Sequence, residues 1–167
     1  EVDGRSTMQV VDLVALTDRA HLRLWRFLAD LDLVEQVRFD KASVVDPLEW
    51  ALVEPRVVRT DRLGDHLWGR VLDVGVALEA RPWSADGDVV VEVDDPLGHA
   101  AGRWRVVTSA GSAQVNRVDD APDVRLSVDT LGALYLGGVA VATLAAAGRV
   151  AGDDAAVAAL AAMADGG

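Results

Sequence analysis

The residue types in this chain that could do chemistry are three histidines, three pairs of adjacent aspartates and a handful of serines. A metal ion needs ligands that converge, yet His21, His66 and His99 stand far apart and no two share the i, i+4 spacing of a helical ligand pair. They read as ordinary surface or partly buried residues. Two carboxylates acting as acid and base must face each other, whereas sequence neighbours such as Asp94-Asp95, Asp119-Asp120 and Asp153-Asp154 diverge on a strand or a helix. Turns and helix starts account for all three pairs. Ser43, Ser84, Ser109 and Ser112 lie in no G-x-S-x-G elbow, and neither G-x-x-x-x-G-K-[ST] nor G-x-G-x-x-G occurs. The sequence therefore offers no catalytic residue and no metal site.

The elements that would have to position a site read as mixed α and β. Residues 8–16 are rich in Val and Leu and predict a buried strand. Thr17 is a helix cap with Asp18 in the first turn, and an amphipathic helix follows over residues 18–31. A second strand is predicted at 34–39, and Asp46-Pro47 opens a short helix through Trp50. Residues 56–62 and 66–72 flank Leu63-Gly64-Asp65, which predicts a hairpin. Asp73 caps a helix that Pro82 stops, and strands are expected at 88–93, 102–108 and 113–118, with an alternating segment at 124–128. Helices are then expected at 129–136 and 139–147, the latter ended by Gly148, and from Asp153-Asp154 onward. The later part is thus an α+β arrangement, a small mixed or antiparallel sheet with helices packed on one side.

Composition narrows the function classes. No cysteine is present, which excludes disulfides, thiolate metal sites and cysteine nucleophiles. With 27 acidic against 16 basic residues and a net charge of −11, the chain is a poor partner for a phosphate backbone, so no nucleic acid is expected. No run approaches the ~18 apolar residues of a membrane span. The opening Glu1-Val2-Asp3-Gly4-Arg5 lacks the parts of a signal peptide and reads as a cut end. Trp25, Trp50, Trp68, Trp83 and Trp104 read as core fillers. The last thirty or so residues turn alanine-rich, and small side chains there allow close helix packing, a subunit interface or an apolar cavity. Arg149-Val150-Ala151-Gly152-Asp153-Asp154 begins like the [RQ]-x-x-G-x-[GA] turn that holds a coenzyme A pyrophosphate in GNAT enzymes, but it ends in two negative charges where the anion would sit. It reads as a helix start.

Several short motifs occur together in a fixed order: Leu24-Trp25-Arg26-Phe27-Leu28, Asp46-Pro47-Leu48-Glu49-Trp50, Leu67-Trp68-Gly69-Arg70-Val71-Leu72-Asp73-Val74 and Leu131-Gly132-Ala133-Leu134-Tyr135-Leu136-Gly137-Gly138. In these and in their spacing the chain resembles the enhanced-intracellular-survival (Eis) family of acetyltransferases over nearly its whole length. That resemblance implies the C-terminal part of a longer cytoplasmic enzyme. Residues 1–62 would be the end of a second GNAT-like fold, and 63–167 a domain similar to sterol carrier proteins. It implies acetyl-CoA bound by a preceding GNAT fold, none by this chain, a cationic amine as acceptor, and a homo-oligomer. The family's terminal aromatic carboxylate has no counterpart in Met163-Ala164-Asp165-Gly166-Gly167, so no catalytic residue carries over. Trp68, Arg70 and Asp73 are candidates for the edge of the acceptor pocket or an interdomain contact, with an Arg70–Asp73 ion pair as the structural expectation. Leu131, Leu134, Tyr135, Leu136 and Leu144 are candidates for an apolar cavity or interface. Two other readings stand beside this one. A self-contained carrier for a lipid would need a dry space of roughly 300 Å³ or more between the sheet and residues 131–147; a pure assembly module would need only a sticky face.

Overall fold

The computed structural model describes residues 6–64 and 68–165, and the chain divides into two compact units, 1–64 and 65–167. In the first, β1 (Thr7–Val10) and β2 (Gln36–Phe39) pair in parallel, with Thr7 opposite Gln36 and Val10 opposite Phe39. Parallel neighbours need a crossover, which α1 (Asp18–Ala29) supplies. Thr17 caps it as expected, its hydroxyl accepting from the Ala20 N–H at 3.2 Å. The Trp25 ring meets Phe39 edge-on at 6.2 Å, which docks the helix on the sheet. A short helix α2 (Leu48–Ala51) and a 3₁₀ turn (Pro55–Val57) follow.

Three expectations fail in this unit, the first being Trp50, read as a core filler and 82% exposed. The apolar run 8–16 forms a strand only as far as Val10, and beyond it Val11, Val14 and Leu16 are exposed, Leu16 to 97%. Apolar composition signals burial only when something lies opposite to receive it. The hairpin across 56–72 is absent: its described residues form the 3₁₀ turn and irregular chain, and Asp65, His66 and Leu67 lie outside the described residues. Val57 and Leu63 are exposed there, and strand propensity without a neighbour to pair with does not make a strand.

The second unit contains α3 (Val74–Ala80), β3 (Gly87–Asp94), β4 (Gly102–Ser109), β5 (Ser112–Arg117), β6 (Val124–Ser127), α4 (Val128–Tyr135), α5 (Val141–Ala146), β7 (Val150–Gly152) and α6 (Asp154–Ala164). Its sheet runs β5-β4-β3-β6-β7 and is mixed, parallel between β3 and β6 and antiparallel elsewhere. Alternation decides the two faces. Val89, Val91, Val93, Val106, Val124 and Leu126 point into one buried cluster with Leu78, Leu131, Leu134, Leu160 and Met163 from the helices. On the other face Glu92 receives Arg103 at 2.9 Å and Arg125 at 2.8 Å, while Asp88 holds Arg105 at 2.6 Å. Charges on one face and aliphatics on the other put the helices on one side, as the alternation predicts.

The strand β7 was not legible in the sequence, because three residues carry too little pattern. Gly152 explains its fit: a Cβ there would lie 2.6 Å from the Asp123 carbonyl, so only glycine lets the two backbones approach. The edge strand β5 is blunted by α3, whose Glu79 carboxylate accepts the Val115 N–H at 3.0 Å.

Candidate functional site

The segment entering α3 carries the first set of candidate residues, and the structure separates them. Trp68 is 84% exposed. Arg70 reaches the carboxylate of Asp95, not that of Asp73. Asp73 is occupied instead as the cap of α3, accepting the Val76 N–H at 3.0 Å. The expected Arg70–Asp73 pair is therefore replaced by one that spans 25 residues, because the helix start has first claim on the Asp73 side chain. Asp95 is the organising group. Its buried carboxylate also accepts the N–H groups of Leu97 at 3.0 Å and Ala100 at 2.9 Å. The Ala100 N–H holds this carboxyl below the usual carboxylate range, burial opposes it, and the Leu97 N–H, Arg70 and His99 add to the depression. This assembly fixes the loop after β3 and anchors the segment two residues beyond the exposed indole of Trp68.

The second set splits between interior and surface. Leu131 and Leu134 are buried, Tyr135 and Leu144 are half-buried against the same core, and Leu136 is 61% exposed. Leu131 and Leu134 line a void of about 20 Å³ between the sheet and the helices. The remaining three do not line it.

One residue at this void was not singled out from sequence. Arg81, just past α3, donates to the Leu134 carbonyl at 3.2 Å and to the Ala164 carbonyl at 2.9 Å, and its guanidinium lies 4.7 Å from the centre of the Trp83 ring. Burial lowers its pKa, and the charges of Asp165 and Tyr135 push the other way. The available signal was an arginine directly before the proline that stops a helix, which is too common to mark a role.

In the first unit, an open groove of about 290 Å³ lies between the chain entering α1 and the segment around Asp46. His21 lines it with Nε2 at 3.0 and 3.1 Å from the two Asp46 oxygens, and Asp46 also accepts the Leu48 N–H at 2.8 Å. The pair ties α1 to the start of α2. His66 lies outside the described residues, and among those described no group of three or more His, Cys, Asp or Glu could hold a metal ion. No helix is long and apolar enough to cross a membrane among the described residues.

Residues 149–154 do not fit a coenzyme A pyrophosphate. The stretch 149–154 is strand β7 followed by Asp153, whose carboxylate already accepts the Ala156 N–H at 2.7 Å, with Asp154 in the first turn of α6. Arg149 is paired with Asp129, and two carboxylates and a satisfied amide at the helix start disfavour an anion.

Residues 1–82 match the acetyltransferase (GNAT) domain model, and residues 74–167 match the sterol carrier protein domain model. An N-acetyltransferase of Streptomyces avermitilis is 41% identical over 148 residues, covering 87% of this chain and 36% of that protein. The N-acetyltransferase Eis of Mycobacterium tuberculosis is 36% identical over 149 residues, covering 85% of this chain and 35% of its own length. The crystal structure of Eis1 from Mycobacterium abscessus superposes with a TM-score of 0.89 at 36% identity, covering 99% of this chain and 42% of that one. This chain thus spans little more than a third of the curated relatives it matches. Residues 74–167 belong to the sterol carrier protein domain family, and the chain as a whole is similar in sequence and fold to N-acetyltransferases of the Eis type.

Proposed function

We propose that these residues are the C-terminal part of an acetyl-CoA-dependent amine N-acetyltransferase of the Eis type. They act as scaffold, contribute oligomer contacts and form part of the wall of the acceptor pocket. Residues 1–62 are then the end of a second GNAT-like fold and 63–167 the carrier-like domain. The observation that carries this reading is the likeness to Eis1 along 99% of this chain but only 42% of that one. The first unit adds a physical argument: among its described residues the two parallel strands pair only with each other and none is buried. Parallel strands are ordinarily interior to larger, doubly covered sheets, so β1 and β2 suit the inside of a fold built with more polypeptide.

Acetyl-CoA belongs to a preceding domain in this reading, since neither α6 nor the rest of residues 149–154 can hold it. Trp68 and the Arg70–Asp95 assembly serve at the acceptor pocket's edge, with Asp73 setting the helix that follows. The net charge of −11 favours a cationic amine, because an acidic surface concentrates cations. Release of free coenzyme A thiol with a polyamine acceptor tests the proposal. The 167 residues alone give no turnover, and a polypeptide of the relatives' length acetylates the amine. Turnover by the short chain would overturn the assignment.

A further inference from the structure

A sterol carrier domain implies an apolar ligand between sheet and helices, and in this chain that space can be examined directly. Its lining is apolar apart from Arg81, which is the composition such a ligand would want. Its size is not: about 20 Å³ holds no more than a water-sized sphere, whereas pockets for small molecules run from ~300 to ~1,000 Å³. Buried side chains of one core cluster surround what space there is. Met163 is 1% exposed and lies against Gly87, where a Cβ would come within 2.6 Å of its sulfur. Glycine at that position is what admits the methionine. Leu131, Leu134 and Leu160 complete the filling.

Closure of the space has an identifiable agent. Arg81 follows α3 directly, and its two terminal nitrogens donate to Leu134 near the end of α4 and to Ala164 at the end of α6. Its Nε donates to the Pro82 carbonyl at 3.3 Å. Both carbonyls lie at helix ends, where partial negative charge collects; the Leu134 carbonyl also accepts the Gly137 N–H at 3.1 Å, and its second lone pair suits a cation placed on the two ends. Trp83 beneath the guanidinium is itself fixed, donating from Nε1 to the Leu78 carbonyl at 2.8 Å. Admitting an acyl chain would require breaking this set and expelling several close-packed side chains together.

We infer that the carrier-type half of this chain is a solid scaffold that takes up neither a sterol nor a fatty acid, and that Arg81 is the bolt that joins the ends of α3, α4 and α6. The inference deepens the scaffold role proposed above, and its test involves no acetyl transfer, so either reading can fail without the other.

The test uses the 167-residue chain with oleate, with cholesterol delivered from cyclodextrin, and with a dansyl-labelled fatty acid. No probe raises the Tm, and the dansyl emission shows no saturable rise. A Tm increase with oleate or cholesterol, or dansyl emission that saturates and is displaced by oleate, overturns the filled-scaffold claim, because a ligand of the native state must stabilise it. Arg81→Met and Arg81→Lys then test the bolt by hydrogen exchange. Methionine speeds exchange in the last turns of α4 and α6 together, and lysine, with a single ammonium, fails to restore both. Unchanged exchange in Arg81→Met, or full restoration by lysine, overturns the role given to the forked guanidinium.

Discussion

The two units use the same local devices and reach different ends. Both open helices with a capping side chain, Thr17 on α1 and Asp153 on α6, and both build from strands and short helices. Yet the second unit closes a core of buried Val, Leu, Trp and Met around one sheet face, whereas the first buries none of its described residues. Their edges differ too. Glu79 covers β5 in the second unit, while β1 and β2 in the first pair with no other described strand. Local signals make elements; a core needs enough elements to enclose it.

The sharpest way to break this comparison is to remove matched apolar groups. Leu160→Ala in the second unit should cost about 2–5 kcal/mol in urea unfolding, because it leaves a cavity against the sheet. Phe27→Ala, at a ring 62% exposed on α1, should change the same transition by less than about 0.5 kcal/mol. Equal losses would mean that the first unit has a core after all.

Acid should act next, on Asp95. Its carboxyl is held below the ordinary range in the fold, so it stabilises the folded chain above the unfolded Asp value of about 3.9 and that support is lost as pH falls through the lower, folded value. Asp95→Asn should therefore lower the urea midpoint at neutral pH and converge with the parent chain in strong acid. A constant difference at every pH would detach the carboxylate's charge from its role.

Smaller effects sharpen the contrast. Asp153→Ala removes the cap of α6 and should cost about 1 kcal/mol in the main unfolding transition. Thr17→Ala removes the same kind of cap from α1 and should speed amide exchange in that helix while leaving the main transition in place. Glu79→Ala, worth about 0.5–1 kcal/mol, should show faster exchange of the Val115 amide and more self-association through β5.

Much of the second unit was legible because its signals are local. The valine-rich run in residues 88–93, the alternation in 124–128, the caps at Asp73 and Asp153, and the stop at Pro82 each act within a few residues. What escaped depends on partners distant in sequence. The parallel β3–β6 pairing, the three residues of β7 and the Arg70–Asp95 pair are set by tertiary neighbours. The same reason misled the reading of residues 8–16, where a run fit for burial emerges into solvent. Of the candidate site, Leu131 and Leu134 are buried and line the void, Tyr135, Leu136 and Leu144 lie away from it, and Arg81 was overlooked because its contacts are with carbonyls 53 and 83 residues away.

Hydrogen exchange on the 167-residue chain and on a polypeptide of its relatives' length tests most directly whether the first unit is completed by preceding sequence. The short chain should protect the amides of β3 and β4 while those of β1 and β2 exchange freely, and the longer one should protect both sets. Strong protection of β1 and β2 in the short chain alone would contradict this account.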